Sequence, residues 1–467
     1  MRIWIVRQGA CRVNGLVKQM DRTDEQYRRM TETPVGKLIA TLSVPTVLSM
    51  LVTNIYNLVD TAFVGTLGNS ASGAVGTVFG YMAILQAIAF MCGQGAGSIM
   101  SRCLGKRDVE QATAYTSTGF FMSLLLGVII GAVSMWKLDE LVMALGSTET
   151  IAPYSKIYIG WIILAAPFQT SSLTMNNLLR YEGHAKLGMI GLMTGAVLNI
   201  LGDAVLMFGC DLGIRGAAIA TAVSQVISFL ILISMFLRKK TETQIRITCV
   251  KFQWKIVGNI VGTGFPSLLR QSLNSIATIL LNNASAVYGD AAVAAMSVVS
   301  RINFFVVSLA IGIGQGFQPV SSFNYGAGKK DRVEKAYWFA FGLGEAILVI
   351  VAIPVFLFAE PIIRLFRDDP EVVMYALRSL RLHCIAMLLL PITMVTEMGF
   401  QSTGHKLCAA ISSALRSGIL FVPLVIILPR IRGMAGIQEA QPLAVVMAFF
   451  IFLFLSRYFI KQLHRDT

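Results

Sequence analysis

The chain has 467 residues, of which 55% are hydrophobic and 14% charged, with mean hydropathy +0.68 and a formal charge of +14. Water-soluble domains carry about a quarter charged residues, so this composition excludes an ordinary globular protein and points to the bilayer. The seven cysteines are scattered without a CxxC pair, which excludes a disulfide framework or a zinc site as the organising feature.

In chain order, residues 1–33 form a basic arm that lacks the apolar core of a secretory signal. Met30, opening MTETPVGKL, is a candidate true start, which makes 1–29 a disordered arm or an extension. Twelve apolar runs follow, at 36–64, 71–100, 112–136, 155–179, 187–210, 213–237, 256–288, 291–323, 334–358, 373–400, 407–429 and 441–460. Most are long enough to cross a ~30 Å hydrocarbon core at ~1.5 Å per residue. The expectation is an all-α polytopic membrane protein, with a basic linker over 238–255 and a tail over 461–467.

Lys and Arg gather in alternate loops. The arm carries Arg2, Arg7, Arg12, Lys18, Arg22, Arg28, Arg29 and Lys37, and the linker carries Arg238, Lys239, Lys240, Arg246, Lys251 and Lys255. Intervening loops hold few. This asymmetry places both termini and the linker in the cytoplasm of a cell-membrane protein. It also accounts for the positive charge without nucleic acid.

One set of motifs occurs twice. LSVPTVLSML, with Pro45, matches GFPSLLRQSL, with Pro266, at an offset of 221 residues. In that frame Gly68 falls on Gly289, Gly93-Gln94-Gly95 on Gly314-Gln315-Gly316, and Gly183-His184 on Gly404-His405; GKRD and GKKD match two residues further along. Six spans per repeat is an even number, so the halves have parallel topology: an N-lobe over 34–237 and a C-lobe over 256–460, with a cleft between them.

The repeat tests each polar residue. Asp60, in IYNLVDTAFVG, corresponds to Leu281, and Asp203, in LNILGDAVLMF, to Leu424. A carboxylate needed only for folding a six-helix unit would recur in both. Counting ~1.5 Å per residue from the outer helix ends, Asp60, Asp203 and Thr221 share one layer in the outer half of the membrane. Asn199 lies one turn before Asp203 on the same face. Burying an ionisable side chain costs at least ~2.5–3.5 kcal/mol, so such residues usually face a wet cavity. A carboxylate near a helix end can also be interfacial, a reading that fits Asp60 better than Asp203. Carboxylates shielded from water can take up a proton near neutral pH, and these four side chains offer only oxygen ligands to a hard cation such as Na⁺. Pro45 removes a backbone hydrogen bond in mid-helix and is a candidate hinge. Tyr56, one turn before Asp60, is a candidate substrate-cavity residue.

The series YNLVDTAFVGTLG, GQGAGSIMSRCLGKRD, NNLLRYEGHAK, LNILGDAVLM, GFPSLLRQ and GKKDRVEKA resembles the multidrug and toxic compound extrusion (MATE) family, in its DinF-like branch, over about residues 34–460. The resemblance implies twelve helices in V-shaped lobes. It implies export of lipophilic or cationic drugs in antiport with H⁺ or Na⁺ by alternating access, with no other cofactor or metal, no enzymatic step and a monomeric state. It also implies a cation site of Asp60, Asn199, Asp203 and Thr221, to which Asn177 adds a helix-4 asparagine. Another branch uses second-lobe carboxylates on helices 7 and 8, and here those helices hold none inside the membrane. A lipid-linked glycan flippase of the same superfamily is the alternative; its two extra helices are not evident.

Arg270, Arg416, Glu345 and Glu397 lie within spans and are open to structural or transport roles. Arg367-Asp368-Asp369-Pro370-Glu371 reads as a solvated turn. No GxSxG, HExxH or Walker motif appears.

Overall fold

A computed structural model describes residues 23–238 and 240–465; the arm's residues 1–22, with Arg2, Arg7, Arg12, Lys18 and Arg22, Lys239, and the last two tail residues lie outside them. A short helix α1 (23–32) precedes α2 (Val35–Gly65), α3 (Asn69–Gly105), α4 (Val109–Trp136), α5 (Leu138–Ala144), α6 (Ala152–Tyr181), α7 (Ala185–Asp203) and α8 (Gly213–Leu237). The second half has α9 (Trp254–Ala286), α10 (Asp290–Gly326), α11 (Lys330–Leu357), α12 (Ala359–Phe366), α13 (Pro370–Met387), α14 (Leu390–Thr403), α15 (Lys406–Ala414), α16 (Phe421–Arg432) and α17 (Met434–Arg465). Six-residue π-helical segments follow α7, at Ala204–Gly209, and join α15 to α16, at Leu415–Leu420. The bent pair α13 and α14, at 53°, forms one broken span. Counting each broken run once gives twelve spans in two six-helix lobes.

The repeat is visible in the backbone. α3 and α10 are both 37 residues long and α4 and α11 both 28, each pair offset by 221. Gly68 and Gly289 have φ of 111° and 94°, and Gly183 and Gly404 of 89° and 92°, left-handed turns that favour glycine. GKRD and GKKD depart from the sequence reading. Arg107, at φ 62°, occupies the turn position of Gly328, at φ 73°. The backbone therefore keeps the offset of 221, and the two tetrapeptides are alike in letters but not in register.

Glycines let the lobes meet. A Cβ on Gly95 would collide with the Ile260 carbonyl, and one on Gly316 with the Ser43 hydroxyl. The Gly-Gln-Gly of each lobe thus receives the first helix of the other. Gln94 accepts from Ser267 Oγ at 2.6 Å, Arg180 donates to Gln315, and Ser98 Oγ donates to the Gln401 carbonyl at 3.1 Å. These contacts lie in the half of the bundle that carries the described chain ends. Pro45 stands between Ser43 and Val47, the residues that touch Gly316 and Gly312. Its helix is knitted around the missing N–H by hydroxyls: Ser49 donates to the Pro45 carbonyl and Thr46 to that of Leu42, both at 2.8 Å.

Two boundary expectations change, at the arm and at the tail. Residues 23–32 are helical, not a disordered arm, and sit across the lobes: Arg29 donates to the Gly183 carbonyl at 2.9 Å, while Asn324 and Arg332 donate to that of Met30. The linker is anchored to the first lobe, where the Thr243 N–H donates to Glu182 at 2.6 Å and that of Lys251 to Thr118 at 3.1 Å. Residues 461–465 continue α17 rather than forming a tail, with Leu463 buried. The acidic run at 367–371 is a turn, as read from sequence; Asp369 caps α13 by accepting from the Glu371 N–H at 3.0 Å.

Candidate ion-coupling site

Asp60 on α2, Asn199 and Asp203 on α7 and Thr221 on α8 converge in the first lobe. All four are buried, Asp203 completely. Glycines make the convergence possible: Gly202, next to Asp203, lies against Ala220, next to Thr221, with room for little more than hydrogen. Asn199 Nδ2 donates to Thr221 Oγ1 at 3.1 Å. The Asp60 and Asp203 carboxyls lie within interaction range of each other. The π segment begins directly after Asp203, and such segments recur at functional sites.

Tyr158, on α6, is the residue that sequence reading missed. Its hydroxyl lies 3.4 Å from Asp60 Oδ2 and 3.4 Å from Thr221 Oγ1, joining a fourth helix to the group by long, weak hydrogen bonds. Its only sequence signal is position: it sits near the outer end of its helix, in the layer where the other polar groups lie. Tyr56 stands within electrostatic reach of both carboxylates. Asn177 does not join them. It lies toward the other end of α6, where its carbonyl oxygen accepts from Arg180 at 2.5 Å and its amide donates to the Leu173 carbonyl at 2.7 Å.

The decisive feature is an excess of acceptors. Asp60 Oδ1, both oxygens of Asp203 and Asn199 Oδ1 are buried without a hydrogen-bond partner. Among the described residues neither carboxylate is paired with Lys, Arg or His. Two such groups cannot both stay ionised away from water without compensation. Protons or a small hard cation meet that demand, since every available ligand is oxygen.

Two other intramembrane charges are occupied by each other. Arg270 pairs with Glu397 at 2.6 Å, and Ser413 donates to the same Glu397 oxygen at 2.7 Å. Glu397 is thus a buried partner within α14. A cavity of about 800 Å³ between α1, α2 and α7, lined by Arg29, Lys37, Lys186 and Lys240, lies at the end bearing the chain termini, away from the carboxylates.

Comparison with known proteins agrees with the two-lobe fold. The family model described as MatE matches residues 45–205 and 266–427, one match per lobe. The multidrug export protein MepA of Staphylococcus saprophyticus is 28% identical over 415 residues, covering 89% of this chain and 92% of that protein. MepA of Staphylococcus aureus strain MSSA476 is 29% identical over 418 residues, covering 89% and 92%. Among solved structures, MATE in complex with MaL6 superposes with a TM-score of 0.89 at 26% identity, covering 94% of this chain and 99% of that one. The outward-facing conformation of a multidrug resistance MATE family transporter gives the same TM-score and identity over 94% and 98%.

Proposed function

The chain belongs to the MatE family of multidrug efflux transporters, and from that premise we propose that its first-lobe carboxylates couple drug export to the entry of H⁺ or Na⁺. It is a multi-pass membrane transporter and not an enzyme. The observation that carries the coupling is the set of four unpartnered buried oxygens around Asp60 and Asp203. A carboxylate pair without a cationic partner among the described residues takes its counter-charge from the medium.

The cycle follows from the geometry. With the termini in the cytoplasm, the closed seam is the inner gate and the cleft faces outward. A proton or Na⁺ arriving from outside reduces the negative charge of the Asp60–Asp203 pair, drawing α2, α6, α7 and α8 together through Thr221 and Tyr158. The outer half of α2 then shifts about Pro45, which touches the seam through its neighbours Ser43 and Val47. Drug leaves to the outside, the seam opens inward, and loss of the ion to the cytoplasm readies the cleft for the next compound. Tyr56, beside both carboxylates, lines the first-lobe wall where a cationic drug competes with the ion for the same charge.

The test is export of a cationic dye such as rhodamine 123 from proteoliposomes under an imposed pH gradient or Na⁺ gradient, each varied alone. At least one gradient drives export in the natural protein. Full gradient-driven export by the Asp60→Asn, Asp203→Asn double variant would refute the site.

A further inference from the structure

The second lobe contains a polar cavity that the ion site does not use. It measures about 250 Å³ and is walled by Gln271, Asn274, Asn303, His383, Arg416 and Gln441. Leu281, the repeat counterpart of Asp60, also lines it, so the cavity stands in the second lobe where the acidic site stands in the first.

Its charge is opposite. Arg416 lies in the π-helical segment Leu415–Leu420, a distortion that re-aims side chains at functional sites. Its counterpart is Gly195, whose Cα approaches Ser228 of α8 so closely that an added Cβ would lie 3.1 Å from the serine Cβ. Glycine packs that helix pair shut in the first lobe, whereas arginine holds the matching place open in the second. Among the described residues Arg416 makes no ion pair or hydrogen bond. The nearby carboxylate, Glu397, is held by Arg270 and Ser413, so these three charged groups leave one net positive charge. Asn274 Oδ1 accepts from Ser417 Oγ at 2.6 Å, which leaves the Asn274 amide N–H groups as further donors. A guanidinium at membrane depth with five donors and no acceptor is costly unless something fills the role.

We propose that this cavity is a binding subsite for the carboxylate of amphipathic substrates, with Arg416 as its anchor. The cavity is smaller than a drug-sized pocket, so it takes the carboxylate and the ring that bears it while the rest of the molecule stays in the cleft. Gln271 marks the doorway: it lies on the cavity wall and donates across the lobes to Gln86 at 3.5 Å. This deepens the export reading and rests on it. A cationic drug engages the acidic first lobe; a zwitterionic one engages both lobes at once.

Rhodamine 110 and its methyl ester, rhodamine 123, differ by one carboxylate, so fluorescence anisotropy with the purified full-length protein isolates the group. Arg416→Gln is expected to weaken rhodamine 110 binding about tenfold or more, as loss of a charge-assisted pair does, and to change rhodamine 123 binding less than about twofold. Retained ester binding shows that the variant is folded, and Arg416→Lys recovers part of the acid affinity. Ester binding with no acid-specific effect of Arg416 overturns the inference and leaves the export reading standing. Failure of both dyes to bind the natural protein overturns the two together.

Discussion

Where the first lobe turns Asp60 and Asp203 toward each other, the second packs Leu281 and Leu424 into one apolar cluster with Met296, Phe421 and Val425. Where the second lobe projects Arg416 into a cavity, the first has Gly195, closed against α8. The two lobes share the lengths of their second and third spans, their glycine turns and their seam contacts. Neither set of charges is therefore a requirement of the backbone, since in each case the other lobe folds with an apolar or absent side chain. The proposed reading uses the acidic set for ion coupling and the basic one for substrate recognition.

The comparison is broken most severely by making the lobes alike. Asp60→Leu with Asp203→Leu copies the second lobe into the first; it removes buried charges costing ~2.5–3.5 kcal/mol each on insertion scales, so thermal stability is expected to rise. Gradient-driven dye export is expected to fall by about a hundredfold, the change in equilibrium that such an energy commands. A variant that is both more stable and fully active would contradict the assignment.

A smaller effect is expected at the seam, where the lobes are alike. Gly316→Val forces a side chain onto Ser43 and is expected to cost about 1–3 kcal/mol by overpacking, with slower export. Gly258→Ala, where nothing lies within 4 Å of the added atom, is the control and should stay within about 0.5 kcal/mol in thermal unfolding.

At the end of the bundle bearing the chain termini, the first lobe has a titrating group outside the membrane spans. Burial pushes the Glu182 carboxyl up to about 7, opposed in part by His184 and the Thr243 N–H. A carboxyl raised in the folded state stays protonated while the unfolded chain ionises, so stability falls as pH rises from about 4.5 to about 7 and is then level. Glu182→Gln retains an acceptor for Thr243 and is expected to flatten that slope, with a gain of up to about 3 kcal/mol at pH 8. An unchanged pH profile would remove Glu182 from the account. The smallest effect is expected of Tyr158→Phe, which deletes two weak hydrogen bonds to the ion site and should lower export by about threefold to tenfold.

Much of the fold was legible because hydropathy and repeat are chain-length signals. The spans, the offset of 221 and the unequal carboxylates are all read from letters. The convergence of Asp60, Asn199, Asp203 and Thr221 was also legible, because depth follows from residue count. What escaped depends on rotation about helix axes and on side-chain reach. Asn177 sits on the correct helix but near its other end, against Arg180, a mismatch of depth that residue count already carries, and Tyr158 reaches the site by virtue of its long ring. Gly93-Gln94-Gly95 was recognised as a repeated motif, but its work as the meeting surface of the lobes emerges only when Ile260 and Gly264 are seen against it. The helix over 23–32 has too little apolar periodicity to announce itself; its partners, Gly183, Asn324 and Arg332, come from distant parts of the chain.

The central claim is that Asp60 and Asp203 bind the ion that drug expels. Its most direct test is to add tetraphenylphosphonium to purified protein in weak buffer, following proton release with a pH dye, and in a parallel sample to follow displacement of radioactive ²²Na⁺. One of the two ions is expected to leave the natural protein and the Arg416→Gln variant in equal amounts, and neither to leave the Asp60→Asn, Asp203→Asn variant. Ion release that persists undiminished in the double variant would place the coupling site elsewhere.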